Sequence, residues 1–384
     1  MKKVIKYLDK PLLITTFLLF SLGLIMIFSA SNVTAFMIQS SSPYKYFLKQ
    51  GIILFVGLVA AIFIILFSTK TYPKLSKIFN ILGIVLLALL PVMGTVRNQA
   101  RSWYDLGFFL FQPSEFVKII SIVWIASYYE ENKDKMDVYM PSLFPLIMIF
   151  INAILMFIQP DLGTTIIYLC ITLSIFWISP VNKKIKAKTF MAMGGFVLLA
   201  IIILFSTGKN LLQERQLKRI TEFRNPCSRL LTSGNQVCNT YIAINNGGLT
   251  GVGLGNSTQK YLYLPEPYTD FIFAIIVEEL GLICGIGIIL AFMYVLYRIL
   301  KIGRESKSSM STMICFGIAI YIAIHIIVNL MGLFGLLPMT GVPLPFMSYG
   351  GSFTLCLIVA LTIVQRINIE NKISQEKNIK QYRK

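Results

Sequence analysis

Ten runs of mostly apolar residues, at 11–34, 47–68, 76–95, 115–130, 142–158, 163–179, 189–207, 271–297, 311–335 and 353–367, are separated by polar or charged connections. A helix that spans a membrane needs roughly 20 predominantly apolar residues. The pattern therefore predicts an all-α, polytopic integral membrane protein of about ten transmembrane helices, read as one transmembrane domain over 1–384. The first run is longer than the apolar core of a cleavable signal and reads as the first span. The longest connection, about 208–270, lies between the seventh and eighth runs. A second unusual segment, 332–353, is dense in Gly and Pro yet largely apolar. Irregular backbone at membrane depth is tolerated only against protein or a watery cavity, so a re-entrant element is expected there.

Composition supports this frame: 56% of residues are hydrophobic, 14% are charged, and the mean hydropathy is +0.72. The net charge of +18 would suit a nucleic-acid binder, but the placement of the charge argues otherwise. With helix ends counted, the connections on the side of both termini hold 23 of the 35 basic residues and 8 of the 17 acids. Basic residues concentrate on the cytoplasmic side of membrane proteins. Both termini are thus expected inside, the 208–270 loop outside, and the positive charge against anionic lipid heads. The six cysteines show no paired metal spacing, so no metal site is read from them.

In this orientation the unusual segments gather on the outer face. They are "ARSWYDLGFFLFQPSEFVK", "QPDLGT", "NGGLTGVGLGNSTQKYLYLPEPYTDFIFAIIVEELG" and "GLLPMTGVPLPFMSYGGS". These resemble, in order, the signature blocks of the SEDS family, the FtsW, RodA and SpoVE type of bacterial cell-wall protein. The wording is closer to division-type FtsW than to elongation-type RodA. The resemblance implies a peptidoglycan glycosyltransferase of the cytoplasmic membrane that polymerises lipid II at the outer face. It also implies a class B penicillin-binding transpeptidase as partner, with other divisome or elongasome membrane proteins around it. In one place the chain departs from the family, which usually has arginine directly before the tryptophan of the first block. Here Ser102 stands there and Arg101 precedes it.

Polymerising a glycan needs a base for the acceptor hydroxyl and cationic help for the departing diphosphate. Asp270 occupies the position of the family's proposed catalytic aspartate, where partial desolvation would make its carboxylate a better base. An aspartate before a helix also serves as an N-cap, and the two roles can coexist. Lys118 and Glu115 are spaced to touch on one helix face. A lysine there either snorkels to the interface or lines a polar cavity; the block match implies a cavity lysine on the diphosphate, with Arg101 as a second cation.

Glu266 orients Asp270, contacts substrate, or is a solvated loop acid. Arg219, in the basic stretch 209–229, is either part of an interfacial helix on anionic lipid or a contact for the lipid-linked sugar. Gln236 is a candidate for sugar hydrogen bonds. Ser348 and Gly350, in "SYGGS", offer a helix N-terminus to an anion or simply allow close packing. A divalent cation, Mg2+ or Mn2+, would suit a diphosphate, although no spacing demands one.

Glu278 and Glu279 are expected two to three turns into the eighth span, one facing the bundle and the other the interface, with one paired to a buried cation. The glycines of "GVGLGNS" suggest a tight turn near substrate; the stretch lacks the context of a dinucleotide loop. Cys227 and Cys238, alone on the outer loop, either pair in an oxidising exterior or stay free. His325, in the ninth run, is expected to bond across helices or to relay protons. A flippase for the same lipid and a non-catalytic scaffold remain as rival readings. The outer position of the charged candidates favours the enzyme, since transporters place their sites near the midplane.

Overall fold

In the computed structural model of the chain, residues 4, 6–97, 100–107, 109–207, 227, 233–261, 263–264, 267–338 and 340–382 are described. Each of the ten apolar runs coincides with a helix. The helices are α1 (Lys10–Met37), α2 (Lys45–Ile64), α3 (Tyr72–Met93), α4 (Pro113–Glu131), α5 (Tyr139–Ile158), α6 (Leu162–Ile178), α7 (Lys183–Thr207), α9 (Ile272–Arg304), α10 (Ser309–Leu333) and α11 (Gly351–Tyr382). One more, α8 (Ser233–Gly247), forms within the long 208–270 connection. Seven helices among the described residues are long and apolar enough to cross a membrane.

Local sequence sets the helix starts. Asp9 caps α1 by accepting from the Leu12 amide, Asp161 caps α6 through the Thr164 amide, and Ser308 caps α10 through the Ser311 amide. Each satisfies a donor that a helix N-terminus leaves without a partner. Between α3 and α4 the polar, aromatic stretch forms a small antiparallel sheet, β1 (Thr95–Arg97), β2 (Ala100–Asp105) and β3 (Leu110–Phe111).

Helices α4 and α10 lie at the centre, packed on each other and both against α6 and α11. Helix contacts carry polar groups as well as methyls: Tyr168 of α6 meets Ser121 of α4 at 3.2 Å, and Asn152 of α5 donates to Tyr168 at 3.2 Å and reaches Asn80 of α3 at 3.4 Å. Large apolar side chains cover the outside, such as Phe17 and Phe55, each 67% exposed, and Leu290, 63% exposed. A soluble fold would bury these; here they face lipid.

The expected eighth span, 271–297, is two helices rather than one. Gly281 has φ +83°, outside helical space, and α9 folds back there. A Cβ on Gly285 would stand 3.0 Å from Val277 and 3.4 Å from Phe273. In a straight helix those residues would be about 12 and 18 Å apart along the axis. The chain therefore rises through a short arm, 272–280, turns at Gly281, and crosses from Leu282 to Arg304.

The break leaves backbone groups without helical partners, and the glycine-rich stretch after α8 supplies them. Val252 N donates to Glu278 O at 2.9 Å and Gly253 N to Glu279 O at 3.0 Å. Leu282 N in turn donates to Gly248 O at 3.0 Å and Ile283 N to Leu249 O at 3.3 Å. Gly247, Gly251 and Gly281 make this approach possible: a Cβ on any of them would come within 2.1–2.3 Å of a carbonyl oxygen across the junction. Of the "GVGLGNS" glycines, Gly251 thus serves to repair a broken helix, while Gly253 and Gly255 take the positive φ of a tight turn, +99° and +85°.

Glu278 and Glu279 sit on the arm, not in the span, and both are buried. The expectation of one at the interface is corrected, because the 246–260 stretch folds over the arm. Glu278 accepts from the Ser257 hydroxyl, from Thr258 Oγ1 at 2.9 Å and from Asn246 at 3.3 Å. Glu279 pairs with buried Lys260 at 3.0 Å and accepts from Ser29 of α1 at 2.7 Å. Cys227 and Cys238 form a disulfide that ties the 208–270 connection to α8.

Candidate active site

All four outer sequence blocks meet around residues 340–352. The loop leading into the α9 arm is held from two sides. Ser348 donates its hydroxyl to Thr269 O at 2.7 Å, and Tyr349 N donates to Tyr268 O at 2.9 Å. From α10, Asn329 Nδ2 donates both to Asp270 O at 3.0 Å and to Val342 O at 2.8 Å. Asp270 is half-buried just ahead of the arm. Phe271 occupies the cap position and makes no side-chain cap bond. The Asp270 carboxylate lies beside Gly341, where a Cβ would stand 3.5 Å from Oδ2. Gly341 has φ +74°, a conformation that favours glycine, so the backbone rather than a side chain walls the carboxylate.

The other two blocks close on the same segment. Gln112, ahead of α4, donates its amide to Ser352 Oγ at 2.8 Å and its side chain to Asp161 at 3.3 Å. Gly163, in the first turn of α6, lies against Thr340, where a Cβ would be 3.4 Å from the carbonyl. The segment also dips into the bundle: a Cβ on Gly23 of α1 would meet Phe346 O at 2.2 Å.

Beneath this floor is a buried polar triad. Lys118 Nζ donates to Glu115 at 2.8 Å and contacts His325 Nε2 at 3.1 Å. His325 Nδ1 lies 2.7 Å from Tyr321 O, and a carbonyl can only accept. The proton is therefore on Nδ1 and the Nε2 lone pair receives Lys118. All three side chains are buried. His325 is four residues before Asn329, about 6 Å along the helix, so the triad lies one turn below the Asp270 backbone. The interhelical bond expected of His325 thus runs to Lys118.

The remaining candidates are dispersed. Arg101 is exposed on β2 and donates to Pro91 O at the end of α3, while its neighbour Ser102 is buried. Gln236 is half-buried on α8, and its backbone carbonyl accepts from Thr240 at 2.9 Å. Tyr241, further along α8, reaches Phe334 O at 3.3 Å, which sets α8 against the start of the 332–353 segment. The Gly350 amide donates to Gln50 Oε1 at 3.3 Å, and Ser348 Oγ also accepts from Leu344 N at 2.8 Å. Glu266 and Arg219 lie outside the described residues.

Sequence reading passed over Gln50 and Tyr46 of α2. Gln50 also donates to Thr354 at 3.0 Å, and Tyr46 packs on Tyr268 and Tyr349 at ring-centroid distances of 4.3 and 5.1 Å. A Gln following Lys49 at the start of the second apolar run was the available signal. Lys260 was also missed, since a lone loop lysine carries none.

The architecture is that of a polytopic membrane protein in which four separated segments converge on a half-buried carboxylate. A family model described as "Cell cycle protein", for FtsW, RodA and SpoVE, matches residues 10–373, and the chain belongs to this family, a multi-pass group of the cytoplasmic membrane. The "Probable peptidoglycan glycosyltransferase FtsW" of Bacillus subtilis (strain 168) is 35% identical over 386 residues, covering 99% of this chain and 95% of that one. "Stage V sporulation protein E" of the same organism is 35% identical over 368 residues, covering 94% and 96%. Among solved structures, one described as "Structural coordination of polymerization and crosslinking by a peptidoglycan synthase complex" superposes with a TM-score of 0.77 at 21% identity, covering 95% of this chain and 98% of that one. The crystal structure of Thermus thermophilus rod shape determining protein RodA gives 0.67 at 20% identity, covering 94% and 96%.

Proposed function

We propose that the chain is a peptidoglycan glycosyltransferase of cell division or elongation, polymerising lipid II at the outer face of the cytoplasmic membrane. Ten spans carry it, both termini are inside, and the 208–270 loop is outside. The observation behind this reading is the convergence of four separated blocks on the Asp270 carboxylate, on a chain whose relatives are named for this activity. In the reaction, Asp270 takes the proton of an acceptor sugar hydroxyl. That oxygen attacks the anomeric carbon of the donor, and the bond from this carbon to the diphosphate breaks with its electron pair leaving on the diphosphate oxygen.

A lysine ammonium has three donors. Glu115 and His325 engage two on buried Lys118, and in this reading the third is assigned to the diphosphate of a substrate that reaches the triad. Ser348 and Gly350 act by holding the Asp270 loop and the start of α11. Arg101, Gln236, Glu266 and Arg219 are assigned to the rim, where lipid-linked substrates approach.

A divalent cation, Mg2+ or Mn2+, belongs to the same proposal. Among the described residues no three His, Cys, Asp or Glu side chains converge. The protein would thus hold the ion through Asp270 and leave the other positions to diphosphate oxygens and water, a common arrangement for Mg2+. When bound, the ion would offset charge on the leaving diphosphate. The partner is a class B penicillin-binding transpeptidase, within a larger divisome or elongasome assembly.

The test is glycan polymerisation from purified lipid II by the wild type and Asp270→Asn, each co-purified with its transpeptidase. The variant is expected to assemble normally and form at least 100-fold less polymer, as removal of a general base predicts. Normal polymer from the variant would favour a scaffold. Lipid movement across vesicles without any polymer from the wild type would favour a flippase.

A further inference from the structure

On the face of the bundle opposite Asp270, α5 and α7 enclose a groove of about 630 Å³ that the catalytic reading does not use. Its walls are Leu146 and Phe150 from α5 and Ala192, Met193 and Phe196 from α7. At its mouth Lys188 Nζ stands 5.9 Å from the ring centroid of Tyr139. That end adjoins the C-terminal end of α4, whereas Gln112 at the other end of α4 bonds to Ser352 of the segment that holds the Asp270 loop. Asn182, just before α7, donates to Asp137 at 2.9 Å and fixes the start of α7 beside that of α5.

We propose that this groove holds one acyl chain of an anionic glycerophospholipid, with Lys188 and Lys184 on its phosphate. Four lysines lie within residues 183–188. Lys186 is committed to the end of α6, donating to Trp177 O at 2.7 Å and Ser179 O at 2.6 Å. Lys184 and Lys188 are exposed and four residues apart, so they share one helix face. Basic mouths between membrane helices suit anionic lipid heads, and an aromatic ring at that level suits the interface.

Length identifies the leaflet. Tyr139 and Phe150, both on the lining stripe, are eleven residues apart, about 16 Å of helix. That is half of a hydrocarbon core of about 30 Å. The groove therefore fits a chain entering from the Lys188 side and ending near the midplane. Its volume also lies within the roughly 300–1,000 Å³ of ligand sites. A polyprenyl diphosphate reacting at Asp270 keeps its charged group at the other face. In the proposed orientation the lipid comes from the cytoplasmic leaflet; the groove and its charge do not depend on that orientation.

Native mass spectrometry of the full-length protein in detergent, with added phosphatidylglycerol, phosphatidylcholine or a polyprenyl diphosphate, tests the assignment. The wild type is expected to retain phosphatidylglycerol at least fivefold over phosphatidylcholine. Lys184→Gln with Lys188→Gln removes that preference, and Ala192→Trp, which fills the groove, lowers retention of both phospholipids. The lysine variant keeps wild-type polymerisation of lipid II, so lipid retention reads out separately from catalysis. Equal retention of the two phospholipids by the wild type would overturn the proposal. So would undiminished retention by Ala192→Trp, or displacement of phosphatidylglycerol by an equimolar polyprenyl diphosphate.

Discussion

Lys260 and Glu279 are charged residues placed where charge is expensive, 1% and 0% exposed at their side chains. Their mutual attraction is supplemented by Ser29, whose hydroxyl donates to Glu279 at 2.7 Å, and by Gly255 O, which accepts from Lys260 at 2.6 Å. The bonds to Glu279 join α1 and the 255–260 stretch to the α9 arm, and the Gly255 bond fixes Lys260 within its own stretch. Removing one member strands the other in a low-dielectric site, which costs about 3–5 kcal/mol, whereas removing both is often tolerated. Lys260→Met is therefore expected to lower the unfolding midpoint in detergent by several degrees or more. Lys260→Met with Glu279→Gln is expected to recover much of the loss. Equal midpoints for wild type and Lys260→Met would show that the pair contributes nothing to stability. Glu278 differs from its neighbour because hydroxyl, amide and backbone donors meet its carboxylate, with no cation among its hydrogen-bond donors in the described residues.

At the level of elements, the hairpin at Gly281 positions Asp270. The arm 272–280 carries the aspartate at its lower end, and the junction fixes where the arm points. Gly281→Ala would place a Cβ 2.3 Å from Leu249 O and force a side chain onto φ +83°. Both effects push the loop and the arm apart. The expected outcome is loss of the monodisperse peak in fluorescence-detected size exclusion, while Gly287→Ala, which has open space around it, elutes as wild type. The helices themselves were legible in the sequence because lipid-facing apolar runs are long and uninterrupted. The break was not: Glu278 and Glu279 interrupt "FIFAIIVEELGLICGIGIILAF" just before Gly281, but a buried carboxylate paired with a cation fits a continuous span equally well, and glycine is common in membrane helices. Its repair comes from backbone about 30 residues upstream, a tertiary fact with no local signature. The site was legible as four blocks around Asp270, and a buried cation for one of Glu278 and Glu279 was expected. Its identity as Lys260, the Gln50 anchor on Gly350, and the sheet at 95–111 depend on long-range contacts that no period or spacing encodes.

For the whole molecule, two polar ties act as a ruler. Asp9 pairs with Arg298 at one end of α1 and α9, and Ser29 bonds to Glu279 at the other. Twenty residues separate Asp9 from Ser29, and nineteen separate Glu279 from Arg298. At 1.5 Å per residue the α1 interval is about 30 Å, the thickness of a hydrocarbon core, and the crossing part of α9 from Leu282 to Arg298 is about 24 Å, with Glu279 just across the Gly281 turn. The two ties thus mark the two surfaces of the slab, and most of the exposed apolar side chains of both helices fall between them, Phe36 and Met37 of α1 lying beyond Ser29. Basic residues crowd the Arg298 side, with Lys301, Arg304 and Lys307 following in the chain. The positive-inside rule then makes that side cytoplasmic and the Glu279 side external. A membrane-impermeant maleimide on intact cells tests this, because Tyr261 is 50% exposed near one tie and Lys307 is exposed beyond the other. Relative to wild type, Tyr261→Cys is expected to label in intact cells and Lys307→Cys only after permeabilisation. The reverse pattern would turn the molecule over, put Asp270 in the cytoplasm, and leave an external polymerase without its base.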